Sequence, residues 1–311
     1  MDFLRLLESI RIPGLNEFML AVTYLGDEIA FLVVALILFW CVDKRRGYYV
    51  LAVGFLGTIT SQFMKIWCRV PRPWYQDKNF TILEQAREGA GGYSFPSGHT
   101  QSSIGTFGGI AVTSKSLVIR ALCLAACVLV PFSRMYVGVH TPLDVAIGAV
   151  ISVVILLVMH PLVLGKEGKY LPYVLAAMTV ISVAYVLFLH IYSFPAEVYV
   201  YDALAETTPW QSAAKNAYTL LGSLLGFLVV YTADQKWMHF SEKAVWWVQI
   251  IKVVLGLVLV LAVKEGLSSL FTNAFGYFPG RAARYFLIVV VAGVVWPLCF
   301  PYLNKLSEKK Q

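Results

Sequence analysis

The sequence has little charge. Only 14% of its residues are Asp, Glu, Lys or Arg, against roughly 25% in ordinary soluble domains. That scarcity excludes a soluble globular surface, and a mean hydropathy of +0.70 agrees. Cysteine is also sparse. The five cysteines, Cys41, Cys68, Cys123, Cys127 and Cys299, lie in or beside apolar runs without metal-ligand spacing. In "ALCLAACVLV", Cys123 and Cys127 read as small core residues. No Asp/Glu cluster sets up a two-metal site, and no basic-aromatic groove points to nucleic acid. The first residues lack the basic start and small-residue cleavage site of a signal peptide, so no processing is expected.

What the chain does have is long apolar runs, recurring along its 311 residues. A spanning helix needs about 20 mostly apolar residues to cross a hydrocarbon core of roughly 30 Å. The chain is therefore expected to be all-α, a polytopic membrane helical bundle. Nine candidate spans are read at about 22–42, 47–66, 100–114, 117–133, 142–164, 171–192, 216–233, 244–263 and 284–303. The third is short and Gly-rich. In "MDFLRLLESIRI", Phe3, Leu4, Leu7 and Ile10 share one helical face, the pattern of a helix lying in the membrane interface.

Charge orients the bundle. With the N-terminus outside, the inner connections are "DKRRG", the 115–120 turn, "GKEGK", the 234–243 stretch and "NKLSEKK". They hold twelve Lys/Arg against five Asp/Glu, whereas the outer segments hold twelve against thirteen. Short loops rich in Lys/Arg tend to stay cytoplasmic. The expectation is a cell membrane protein with the 65–100 loop and His140 outside and the C-terminus in the cytoplasm. The net charge of +7 then follows from topology.

Three segments carry ionisable residues at the same expected depth. "KIWCRVPRP" places Lys65, Arg69 and Arg72 at the end of the second span, where cations commonly snorkel to headgroups. These three, however, sit on the cation-poor side, with Pro71 and Pro73 stopping the helix. "GYSFPSGHTQSS" opens the third span. Ser97 can cap that helix, and equally the free N–H groups behind Gly98 can cradle an anion beside His99. "SRMYVGVHTPLD" contains Arg134, His140 and Asp144, with Pro142 suited to the first helical turn. Asp144 is placed to accept a hydrogen bond from one imidazole nitrogen of His140, leaving the other as nucleophile or base. An Asp at a helix start also serves the dipole alone. Ionisable residues gathered at one depth of a bundle point to function. Cations, an anion nest and two histidines suit attack on a phosphoryl group.

In these residues the chain resembles the type 2 phosphatidic acid phosphatases, which share a signature with glucose-6-phosphatase and vanadium haloperoxidases. The family's Lys and Arg-Pro fall on Lys65 and Arg72-Pro73, its Pro-Ser-Gly-His on Pro96 to His99, and its Ser-Arg, His and Asp on Ser133-Arg134, His140 and Asp144. The resemblance implies that His140 forms a phosphohistidine, that Asp144 orients it, and that His99 is the general acid. It implies that Lys65, Arg72, Ser97, Gly98 and Arg134 hold the phosphate oxygens, and that the enzyme works without metal or cofactor. It further implies a six-span core over residues 1–192, with residues 193–311 as an extension of about three spans.

The expected function is hydrolysis of a membrane lipid phosphomonoester or diphosphate. Phosphatidate, phosphatidylglycerol phosphate and undecaprenyl diphosphate are all compatible. Phosphotransfer to an acceptor alcohol is an alternative. A non-hydrolytic lipid transporter is a third reading, against which nine spans show no inverted repeat. His160, His190 and His239 read as structural. Lys252 is expected to snorkel or to pair with a polar group, and Arg281 and Arg284 to belong to an interfacial belt.

Overall fold

The structure is a computed structural model that describes residues 1–165, 168–200, 207–238 and 240–308. Helices carry it, and no β-strand occurs among the described residues. In chain order they are α1 (Asp2–Ser9), α2 (Pro13–Tyr24), α3 (Glu28–Ile37), α4 (Lys44–Cys68), α5 (Pro73–Gln76), α6 (Gly98–Ser103), α7 (Gly109–Thr113) and α8 (Leu117–Tyr136). There follow α9 (Pro142–Met159), α10 (Leu171–Ile191), α11 (Pro209–Ala233), α12 (Trp246–Gly266), α13 (Ser268–Phe275), α14 (Tyr277–Val290) and α15 (Phe300–Glu308). His239 lies outside the described residues.

Among the described residues seven stretches are long and apolar enough to cross a bilayer, and an eighth exists if α2 and α3 count as one bent span. The expectation of nine is corrected at two places. The third candidate runs through α6, a π turn and α7, and spans residues 98–113. At about 1.5 Å per residue that is roughly 24 Å, short of a hydrocarbon core. The first candidate is a helix pair bent by 53° after Tyr24. There the N–H groups of Leu25, Gly26 and Asp27 close onto carbonyls three residues back, a tightened turn that ends α2. A Cβ on Gly26 would lie 2.8 Å from Val130 Cγ1 and 3.1 Å from the His99 carbonyl oxygen, so the turn needs a residue without a side chain.

The chain forms two compact units whose segments interleave. The first comprises Met1–Leu32, Ala52–Met159 and Leu189–Ala213; the second comprises Val33–Leu51, His160–Phe188 and Ala214–Gln311. Within the first unit α8 contacts α1, α2, α6, α7 and α9. The face of α1 expected to meet lipid packs partly on protein: Leu4 and Leu7 are buried with Phe80 and Ile82, whereas Phe3 and Ile10 stay exposed. Arg11, just after α1, donates to the carbonyls of Tyr136 (3.0 Å) and Thr81 (2.9 Å) and lies over Phe80. This clamps the loop that follows α8. In that loop Gly138 has φ +90°, and a Cβ there would sit 2.9 Å from Arg11 Nη2. His190 meets Trp210 edge-on.

In the second unit Lys252 is fully buried. Its ammonium lies 4.5 Å from the centre of the Phe300 ring, and it points at the carbonyls of Ser241 and Glu242. It pairs inside protein and does not snorkel. Lys44 is ion-paired with Asp234 at 2.8 Å, and Tyr48 donates to the same carboxylate. Arg281 donates to Thr219 Oγ1 at 2.6 Å, which makes it more than a belt residue. His160 packs edge-on against Tyr49. None of the five cysteines is in a disulfide.

Gly138→Ala combines a left-handed backbone with a contact on Arg11. The cost is expected to be about 1–3 kcal/mol, read as a lower melting temperature in detergent. A melting temperature equal to that of the parent would contradict the clamp.

Candidate active site

Each element ends where a charged side chain has to be delivered. α4 stops at Cys68, and Arg69 takes φ +50°, the left-handed step that commonly closes a helix. Pro71 and Pro73 then lead the chain away, as their positions predict. Lys65, in the last turn of α4, donates to the Tyr93 carbonyl at 2.7 Å. Arg72 precedes α5 and is 3% exposed. Its Nε donates to Gly92 O (3.1 Å) and its Nη2 to Gly91 O (3.1 Å). Its Nη1 donates to Val139 O (2.9 Å) and lies 3.0 Å from His140 Nε2. One planar guanidinium thus joins the 91–92 loop to the loop carrying His140.

The 91–97 loop is fixed at three further points. Ser94 N–H donates to Val70 O at 2.8 Å, and Ser97 N–H donates to Asp144 O at 3.0 Å. Ser97 caps α6, its hydroxyl accepting from Thr100 N (3.4 Å) and from Thr100 Oγ1 (2.9 Å). Gly98 and His99 occupy the first turn of α6, where backbone N–H groups have no carbonyl within the helix to bond. Both readings of "PSGH" therefore meet in one turn, a cap by Ser97 and free amides behind it.

Asp144 sits in the first turn of α9 and is buried. The sequence leads one to expect Asp144 beside His140, and the two side chains are within ion-pair distance. His140 Nδ1 lies 3.6 Å from Asp144 Oδ2, too far for a hydrogen bond. Ser94 stands between them. Its hydroxyl donates to Asp144 Oδ2 at 2.6 Å and lies 3.4 Å from His140 Nδ1. Thr141 N–H supplies a second donor to Asp144 Oδ2 at 2.7 Å. With the Ser94 proton committed to the carboxylate, the serine oxygen is an acceptor for an Nδ1–H. Nε2, which receives Arg72 Nη1, is then the lone-pair nitrogen.

His140 is 1% exposed. Burial pushes its pKa well below the ordinary imidazole value, and the positive fields of Arg72, Lys65, Arg134 and His99 push it the same way. The ring is therefore neutral, as a nucleophile must be. Arg134, in the last turn of α8, is 1% exposed and donates from Nη1 to Thr23 Oγ1 at 2.9 Å. Its Nε and Nη2 are buried without a hydrogen-bond partner among the described residues. A buried guanidinium with two unmet donors is unfavourable unless something else fills them. His99 Nε2 lies 2.6 Å from Asp27 Oδ1, at the break between α2 and α3.

The fold thus brings Lys65, Arg72, Arg134, His99, His140 and Asp144 into one cluster, with Ser97 and Gly98 beside it. Sequence reasoning missed Ser94, Thr23 and Asp27. Ser94 and Thr23 carry no spacing signal. Asp27 offered one, an acid beside glycine within an apolar run. Outside Arg72 a cavity of about 80 Å³ is lined by Arg72, Tyr75, Tyr93 and Thr207 among others. Among the described residues no group of three His, Cys, Asp or Glu side chains is placed to hold a metal ion.

Residues 46–167 match the PAP2 superfamily, and residues 218–309 match the PAP2 superfamily phosphatase transmembrane extension. The chain is 26% identical over 270 residues to sphingosine-1-phosphate phosphatase 1 of Mus musculus, covering 78% of this chain and 57% of that protein. It is 29% identical over 160 residues to a probable sphingosine-1-phosphate phosphatase of Dictyostelium discoideum, covering 47% and 38%. The Rattus norvegicus sphingosine-1-phosphate phosphatase 1 is 26% identical over 217 residues, covering 66% and 45%. The chain spans about half the length of the curated relatives it matches. No solved structure matches it.

The unmet donors of Arg134 give a test that needs no turnover. Inorganic phosphate at ten times its Kd is expected to stabilise the protein by about 1.4 kcal/mol. Arg134→Met is expected to lose that thermal shift while melting no lower than the parent, since it removes an uncompensated buried charge. A full phosphate shift in Arg134→Met would refute this account.

Proposed function

This chain belongs to the PAP2 superfamily, and from that membership we propose that it is an integral membrane lipid phosphatase acting through a phosphohistidine on His140. The observation that carries this reading is a neutral imidazole in contact with one buried guanidinium, Arg72, and in the electrostatic field of a second, Arg134. Arg72 Nη1 is 3.0 Å from His140 Nε2, and buried Arg134 holds Nε and Nη2 unpartnered. A phosphoryl group is a ligand with enough acceptors for both arginines and for Lys65.

In the proposed reaction the phosphate displaces the Arg72 Nη1 contact from Nε2 and takes those donors onto its oxygens. The amides of Gly98 and His99 and the Ser97 hydroxyl line the same approach. His140 Nε2 then faces phosphorus, with Nδ1 steadied by Ser94 and, through it, by Asp144. His99 protonates the leaving oxygen. Water afterwards cleaves the P–N bond and frees phosphate. The preorganised cations stabilise charge on the equatorial oxygens throughout, the largest contribution in transfers of this kind.

The substrate proposed is a long-chain phosphomonoester. The relatives named for sphingosine 1-phosphate put a single-chain phosphomonoester ahead of phosphatidate, phosphatidylglycerol phosphate and undecaprenyl diphosphate. A site at headgroup depth meets such a lipid by diffusion in the membrane. The distribution of Lys and Arg supports an extracytoplasmic position for that site.

Purified protein in detergent or vesicles is expected to release phosphate from one or more members of that panel. His140→Ala is expected to release none while keeping the parent melting temperature, and chelator to leave the wild type unaffected. Turnover by His140→Ala would remove the nucleophile assignment. A second expectation concerns pH. Because burial, with the cations beside it, keeps His140 neutral, kcat/KM should not fall with its protonation until well below pH 6.5, after correcting for the substrate's own ionisation near about pH 6. Weakening that field in Arg72→Gln should move this acid limb upward. An acid limb from His140 at or above the ordinary imidazole range in the wild type would contradict the assignment.

A further inference from the structure

His99 stands among cations. Arg134 and Arg72 act on it electrostatically, and it acts in turn on His140. Burial above all, and then the charges of Arg134 and Arg72, push its pKa down to about 4, yet the proposed reaction, on which this inference rests, asks it to arrive protonated. One carboxylate opposes the field directly. Asp27 Oδ1 lies 2.6 Å from His99 Nε2. We propose that Asp27 is the positioning residue of the proton donor, holding His99 by Nε2 so that Nδ1 delivers the proton to the leaving oxygen.

The chain is shaped to make this contact. Asp27 stands immediately before α3, where an Asp ordinarily spends its carboxylate capping the helix. Here the carboxylate goes across to α6. The approach depends on the tight turn at Leu25–Asp27 and on Gly26, which meets Val130 and the His99 backbone with no room for a Cβ. Asp27 thus bonds His99 through its side chain, and the glycine before it leaves the space that the His99 backbone occupies.

Imidazolium His99 carries Nε2–H on Asp27 and Nδ1–H toward the substrate. As His140 Nε2 bonds to phosphorus and the phosphorus–alcohol bond breaks, the Nδ1 proton passes to the alcohol oxygen. Neutral His99 keeps Nε2–H on Asp27. Water then attacks phosphorus, gives its proton to His99 Nδ1, and the P–N bond breaks. His99 ends as it began.

The test compares leaving groups that differ in their need for a proton. Dodecyl phosphate leaves as an alkoxide and needs one; a dodecyl-substituted nitrophenyl phosphate leaves as a stabilised phenolate and does not. Asp27→Asn should lower kcat/KM for the alkyl ester about 10- to 100-fold, within the range of general acid catalysis. For the aryl ester it should change less than about 3-fold, since no acid catalysis is at stake there. His99→Gln should show the same divergence, and Asp27→Glu should recover part of the alkyl activity. Gly26→Ala, which alters no ionisable group, should show the divergence in weaker form. Equal losses on both esters would make Asp27 merely structural, and no loss on either would make it idle; both outcomes overturn the proposal. A wild type that cleaves neither ester would instead refute the phosphatase reading.

Discussion

The site depends on one guanidinium. Arg72 satisfies itself on three backbone carbonyls, those of Gly91, Gly92 and Val139, and with the same Nη1 reaches His140. Two loops far apart in the chain are thereby held to a common distance from one side chain. A lysine has no fork with which to do this, because a point charge cannot bond in three fixed directions in a plane. The carbonyls also explain how a cation stays buried at low cost. They offset its lost hydration without neutralising it, so its charge remains available to a ligand.

Positive charge is in surplus around His140, and the two carboxylates near it are used sparingly. Asp144 is turned toward Ser94 and Thr141, and Asp27 toward His99. Neither spends itself on an arginine by a hydrogen bond. The outcome is a cluster of like charges under strain, most plainly at Arg134, whose Nε and Nη2 have no hydrogen-bond partner among the described residues. Sites that must bind an anion strongly are expected to carry such strain, and stability gained by removing it is lost from function.

Backbone irregularity follows the same cluster. Within a bilayer, broken helices are tolerated only where protein or a polar cavity receives the freed backbone groups. The break between α2 and α3 delivers Asp27, the left-handed Arg69 ends α4 before Arg72, and Gly138 turns the chain into His140. Gly148 of α9 does the converse. A Cβ there would lie 3.0 Å from the Ser97 carbonyl, so the helix surface is left bare for the loop to approach.

Fold class was legible in the sequence because apolar runs of spanning length report directly on bilayer thickness. Lys65, Arg72, His99, Arg134, His140 and Asp144 were legible because their spacing within short segments is a local property of helix ends. The span count was less so. Residues 98–113 read as a span by composition and fall short by length, while the 25–27 turn hides within an apolar run. Ser94, Thr23 and Asp27 were not legible, because each acts on a partner in another segment and leaves no periodic trace. The sequence by itself determined which side chains are present and which helix end carries each. Only the tertiary structure decided that Asp144 reaches His140 through a serine, and that His99 has a carboxylate of its own, because distances between segments are set by packing and not by spacing along the chain.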